Sequence, residues 1–188
     1  MSNELFQGEF VNANRILYTP SEFARTNLFY LQEAGHLQAR KPHISKRQNL
    51  MSYLFFYLTD GSGILNYDGK EYTLNQGDCV FINCQTPYFH QSSEDLWSLN
   101  WIHFYGPTIH SIYLKYTERG GQPVFHPADL AAFDSLWQDL YHIASSSAVL
   151  KDMKINEYLF SLLTLVMEQS WNPEAKLLSF KQHSLIDV

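Results

Sequence analysis

Tyr53-Leu54-Phe55-Phe56-Tyr57-Leu58-Thr59-Asp60-Gly61-Ser62-Gly63, running on through Asp68-Gly69 into residues 71–74, decides how this chain folds. The six apolar residues at its head are too few to cross a membrane. Their aromatic bias suits a strand. Asp68-Gly69 between two short alternating runs signals a hairpin, because such a turn needs positive φ at its centre. Asp60-Gly61-Ser62-Gly63 and Asn75-Gln76-Gly77-Asp78 read as turns. Working outward, residues 27–33 read as a strand ending near Gly35. Residues 79–82 read as another, Thr86-Pro87 as a break, and residues 97–104 as a long strand. Short strands punctuated by Gly and Asp predict an all-β sandwich or barrel.

Beyond this region the spacing changes from two to the helical period. Ile109, Ile112, Tyr113 and Tyr116 predict a short helix after Pro107. Residues 129–145 place Leu130, Phe133, Leu136, Trp137, Leu140, Tyr141 and Ala144 on one stripe, with Pro127 and Asp129 at the start. Residues 150–170 carry Ile155, Tyr158, Leu159, Leu162, Leu163 and Val166, and Asn172-Pro173 ends that helix. It is apolar over more than half its girth towards its C-terminal end. A surplus of this kind marks either an interface between copies, carried by those six residues, or a helix sandwiched between its neighbour and the barrel. The expected organisation is a barrel with an N-terminal arm and one short helix over 1–126, a helical dimerisation hairpin over 127–171, and a tail over 172–188.

Composition narrows the function. Apolar residues make up 45% of the 188 and charged residues 17%, which fits a packed globule rather than a disordered chain. The net charge of −6 argues against direct phosphate binding. Met1-Ser2-Asn3-Glu4 shows no basic stretch leading into an apolar one, so no secretory leader is expected. Cys79 and Cys84 fall on opposite faces of a strand, which disfavours a local disulfide and suits a cytoplasmic protein.

The ordered series of the opening block, Asp68-Gly69-Lys70-Glu71-Tyr72, Gly77-Asp78, Pro87 and Trp97-Ser98-Leu99-Asn100-Trp101-Ile102-His103-Phe104-Tyr105-Gly106 resembles the cupin barrel. It is most similar to the amino-terminal effector-binding and dimerisation domain of AraC-family transcription regulators, over roughly residues 25–188. The resemblance implies a mainly β fold, a cupin double-stranded β-helix or jelly-roll barrel, followed by an α-helical hairpin. It also implies a small-molecule effector, a homodimer, and DNA contact only through a helix-turn-helix half that these residues do not contain. Residues 180–188 look like the lead-in to that half.

Many cupins are metal enzymes, with a His-x-His pair, a Glu, and a later His. Here Gly61 takes the place of the motif's glycine, and counting back puts Leu54 at the Glu. Gln48, Asn49 and Leu50 occupy the histidine region, and His90 alone matches the second motif. One imidazole does not make a metal centre. The expectation is therefore no catalytic residue, no metal and no cofactor. A cupin isomerase or dioxygenase, and a ligand-free dimerisation module, are the alternatives.

A saccharide offers hydroxyls and C–H faces, so its site wants flat aromatics beside a few fixed polar groups. Trp97, Leu99, Trp101 and His103 share one side of their strand, and Ser98, Asn100, Ile102 and Phe104 the other. The pattern alone does not say which side faces the lumen. Tyr88 and His90 share a face after Pro87. The resemblance implies an Arg entering the mouth of the barrel near Arg47, although the basic run 40–47 also reads as a solvated loop. Tyr30 is a further candidate on an early strand. An arm over 1–20, with Phe6, Phe10 and Tyr18, is placed to cover the ligand.

Overall fold

The structure, a computed structural model, describes residues 10–170. Its centre is a pair of long antiparallel strands, β4 (Tyr53–Tyr67) and β7 (Tyr88–Tyr105). Alternation along β4 sends Leu54, Phe56 and Leu58 to one face and Tyr53, Phe55 and Tyr57 to the other, and all six are buried. Each long strand changes neighbours along its length. The 53–57 half of β4 pairs with β6 (Cys79–Asn83), and its 62–67 half with β5 (Lys70–Asn75). The 98–105 part of β7 pairs with β2 (Tyr30–Ala39), and its 88–91 end with β3 (Ile44–Arg47). Adding β1 (Val11–Leu17) beside β2 and β8 (Val124–Phe125) beside β6 gives the order β1-β2-β7-β4-β6-β8, with β3 and β5 attached to β7 and β4.

The expected turn at Asp60–Gly63 is a bend within β4. Register shifts fall at Leu58/Asp60 and Gly61/Gly63, and Gly61 takes φ +75°. A Cβ there would lie 2.0 Å from the Leu96 carbonyl oxygen. A bulge needs the same glycine as a turn but lets the ladder continue, so the strand curls without breaking. The hairpin at Asp68-Gly69 forms as expected, with both residues at positive φ. The early strand is also corrected. Residues 22–27 form a short helix, α1 (Glu22–Asn27), capped by Ser21, whose Oγ accepts from the Ala24 amide at 3.2 Å. β2 then starts at Tyr30 and passes through Gly35.

Three further helices follow: α2 (Ile109–Glu118), α3 (Leu130–Ser145) and α4 (Lys151–Gln169). Two cores result. Leu54, Phe56, Leu58, Leu99 and Trp101 belong to the one inside the barrel. Tyr53, Phe55, Tyr57, Ile102 and Phe104, on the opposite face of the same strands, pack with the helices in the other. The architecture is mainly β with C-terminal helices, a cupin-type jelly-roll barrel carrying a helical hairpin on one face.

That second core corrects the expected dimer interface. Ile155, Leu159, Leu162, Leu163 and Val166 are each at most 3% exposed, and Tyr158 packs against the same cluster. The sandwiched alternative holds, because α4 lies on the outer face of the sheet and against α3. Polar anchors fix it there. Tyr18 Oη donates to Asp152 Oδ1 at 2.6 Å, and the Phe29 amide to Asn156 Oδ1 at 2.9 Å. Met153 and Phe160 are the large apolar side chains that α4 leaves exposed. Phe6 and the tail 172–188 lie outside the described residues.

Candidate functional site

The lumen-facing side of β7 is the one that carries Leu99, Trp101 and His103. With Tyr88 and His90 from the other end of the strand, they line a cavity of about 440 Å³. Leu54 and Phe56 of β4 form an apolar wall. β3 contributes Lys46 and Arg47 at the rim, with His43 beside them. β2 contributes Glu33 and Leu37. A volume near 440 Å³, walled by apolar groups with a few convergent polar ones, is that of a small-molecule site.

The Trp101 indole is held in place from two directions. Its Nε1 donates to Glu33 Oε1 at 2.8 Å. Its ring lies across Gly35, where an added Cβ would come within 2.2 Å of the indole. Glu33 is 7% exposed, and its other oxygen accepts from Arg15 Nη2 at 2.5 Å. Burial alone would push this carboxyl up, but the hydrogen bond and charge of Arg15, with help from the Trp101 N–H, hold it below the usual carboxylate range. It is therefore an ionised acceptor in the wall.

The histidines are neutral. Burial pushes His90 down to about 3, assisted by the nearby His43, His103 and Arg47. Burial likewise takes His103 to about 4, partly offset by the Glu33 carboxylate. His43 is lowered by burial as well. His103 Nδ1 lies 2.9 Å from Ser52 Oγ. Among the described residues, the buried Nδ1 atoms of His43 and His90 have no hydrogen-bond partner, nor has Trp97 Nε1. The site thus offers neutral imidazoles that can donate or accept, one anionic acceptor, and cationic side chains at the rim.

Of the seven side chains expected in the site, five meet there: Arg47, Tyr88, His90, Trp101 and His103. Trp97 does not line the cavity. Its buried ring lies behind it, 5.7 Å from His90 and 6.2 Å from His43, seated over Gly63. Tyr30 is also displaced. It lies 6.1 Å from the Tyr105 ring, across a register shift between Leu31 and Glu33 that separates it from the lumen-facing residues of β2. Tyr18, expected on a covering arm, is tied to α4, and Phe10 is exposed beside Lys41. The sequence reading missed Glu33 and Arg15. Their signal was a charged pair facing across β1 and β2, which needs the register Arg15↔Gly35 and Leu17↔Glu33 to be seen.

The cupin metal positions do not fit a metal here. Leu50 and Leu54 present hydrocarbon to the cavity, Gln48 an amide, and His90 the one imidazole. Among the described residues no group of three or more His, Cys, Asp or Glu side chains is placed to hold an ion.

A protein-family model described as the AraC-like ligand binding domain matches residues 28–163, well over half the chain. The chain belongs to that family. A comparison with curated proteins gave no match. Among solved structures, a cupin 2 conserved barrel domain protein from Leptotrichia buccalis aligns at 18% identity and TM-score 0.40, over 54% of this chain and 45% of that one. A salicylate 1,2-dioxygenase from Pseudaminobacter salicylatoxidans aligns at 15% and 0.39, over 51% of this chain and 26% of that one. The cupin domain of an XRE-family transcriptional regulator from Enterobacter cloacae aligns at 13% and 0.40, over 52% and 97%. The chain thus spans less than half of the first two of these proteins. As an AraC-like ligand-binding domain it implies a small-molecule effector, and the Trp101 cavity is the candidate site for it. No helix among the described residues is long and apolar enough to cross a membrane.

Proposed function

We propose that the chain is the effector sensor of a cytoplasmic AraC-type transcription regulator, that its effector is a saccharide, and that it controls carbohydrate-use genes. The observation that carries the saccharide is the Trp101 face set beside an ionised Glu33 and three neutral imidazoles. An indole offers its π-face to C–H groups, while fixed donors and acceptors around it select hydroxyl directions. An open lumen of about 440 Å³ supports a ligand-binding barrel over one filled by its own side chains. The site binds and does not transform. The hydrocarbon and amide groups at the cupin ligand positions support that reading, which makes the chain a sensor and not an enzyme.

In this reading the homodimer acts on DNA through a separate helix-turn-helix half, and the saccharide works by binding one arrangement of the regulator more tightly than the other. The test is thermal unfolding against a panel of mono-, di- and trisaccharides, including galactosides and glucosides. A ligand at a hundred times its dissociation constant adds about 2.7 kcal/mol, and each kcal/mol moves the midpoint by roughly 2–4 °C at this chain length. A selective rise of several degrees supports the reading. A flat panel rejects the saccharide.

A further inference from the structure

A second cavity, of about 320 Å³, abuts the first. Glu33, Arg47, Leu50 and His103 line both, so those four side chains are a shared boundary between an inner and an outer chamber. The outer chamber is completed by Leu17, Gln32, Met51 and Ser52. Leu17 is 65% exposed and Met51 63%, so it opens to solvent along an apolar rim. Gln32, whose Nε2 donates to the Met51 carbonyl at 3.0 Å, supplies an amide there.

We infer that the two chambers are subsites for one ligand, and that the effector is an oligosaccharide whose terminal ring enters the inner chamber while the next ring rests in the outer one. The inference rests on the saccharide reading above and narrows it. The chemistry changes between the chambers in the way such a ligand needs. The inner one has the indole, the apolar wall and the buried imidazoles, suited to a ring stripped of water. The outer one has two exposed apolar side chains and an amide, suited to a ring half in solvent. At the boundary, the Arg47 side chain makes no hydrogen bond or ion pair among the described residues, and its planar fork of donors matches adjacent oxygens such as those flanking a glycosidic linkage. Glu33 keeps acceptor capacity beyond the bonds from Arg15 and Trp101, since an ionised carboxylate has about four lone-pair positions.

The test measures dissociation constants calorimetrically for the full chain with matched probes: galactose, melibiose and lactose; glucose, maltose and trehalose. One disaccharide is expected to bind at least tenfold tighter than either of its monosaccharides. The triple variant Leu17→Ala/Gln32→Ala/Met51→Ala is expected to bring that ratio close to one. These positions are exposed or half-buried, so the variant folds, as a circular dichroism spectrum matching the parent will register. A monosaccharide that binds as tightly as its disaccharide overturns the two-chamber inference while leaving the saccharide reading standing, as does a ratio unchanged in the triple variant. No binding by any of the six probes overturns the two-chamber inference, and the saccharide reading falls with it where the thermal panel is flat as well.

Discussion

Replacing Gly35 with alanine puts a methyl group where the Trp101 ring lies. The new Cβ would sit 2.2 and 2.4 Å from two indole carbons and 2.6 Å from the Asn14 carbonyl oxygen on the other side. Carbon atoms pack at roughly 3.5–4.0 Å, so one neighbour must move by more than about 1 Å. The Asn14 oxygen is backbone of β1, fixed by its ladder to β2. The indole therefore yields most, which strains the 2.8 Å bond from Trp101 Nε1 to Glu33, and the 2.6 Å contact with the Asn14 oxygen makes the β1 backbone give as well. Overpacking costs about 1–3 kcal/mol, and a lost hydrogen bond to a charged acceptor about 1.5–3 kcal/mol. A total of roughly 2.5–6 kcal/mol lowers the unfolding midpoint by about 5–24 °C. The assay is a calorimetric melt of Gly35→Ala beside Gly69→Asn. Gly69 has nothing within 4 Å of an added Cβ and a left-handed φ that asparagine tolerates, so that variant melts close to the parent. A Gly35→Ala protein that melts within 1 °C of the parent refutes the placement of Trp101 against β2 and, with it, the shape of the inner chamber.

Acid sensitivity follows from the neutral histidines. His90 and His103 titrate near 3 and 4 in the folded chain but near 6.5 when unfolded, so the unfolded state takes up more protons in between. Stability is therefore expected to fall as pH drops from about 6.5 towards 4, and His90→Gln to flatten that slope; a midpoint constant across that range contradicts their burial. Glu33, lowered in the folded state, adds to the loss only below the ordinary carboxylate range. Glu33→Gln at neutral pH is expected to cost about 1–3 kcal/mol through its bond from Arg15, read as a lower denaturant midpoint. Leu159→Ala should cost about 2–5 kcal/mol and Phe160→Ala much less, because Leu159 is fully buried and Phe160 is 56% exposed. Equal losses in denaturant melts would speak against the packing of α4.

Much of the barrel was legible because strand alternation and turn residues are local signals. The hairpin at Asp68-Gly69, the long Trp-rich strand and the three later helices needed no tertiary information. The Asp60–Gly63 bend was misread as a turn because a bulge and a turn ask for the same residues, and the closing contact, the Leu96 carbonyl, is distant in sequence. In the site, Tyr88 with His90 and Trp101 with His103 were legible as two same-face pairs on one strand, but the irregular stretch between them hides from the sequence that both pairs face the lumen. Glu33 and Arg15 were not, because their pairing depends on the register of β1 on β2. Tyr30 failed because it opens β2 opposite Tyr105, beyond the Glu33–His103 pair that lines the cavity, and strand parity says nothing of position along the barrel. The α4 residues were legible as apolar but not as covered, because a helical stripe does not say what lies against it.

The double-sided character of β4 and β7 limits how this protein can change its ligand. Trp101 closes the inner chamber with its ring while its carbonyl accepts from Trp137 Nε1 of α3 at 3.3 Å. Its neighbour Asn100 donates to Tyr57 Oη at 2.6 Å, which in turn donates to Asp134 on the same helix. A substitution that shifts the backbone on either central strand disturbs the cavity and the helix packing together. β1, β2 and β3, with Leu17, Glu33, Lys46 and Arg47, contribute side chains to the chambers from outside the two central strands. New specificities are thus expected to arise by drift at the margins, while the two central strands stay nearly fixed and hold the route from ligand to helices constant across descendants that recognise different molecules.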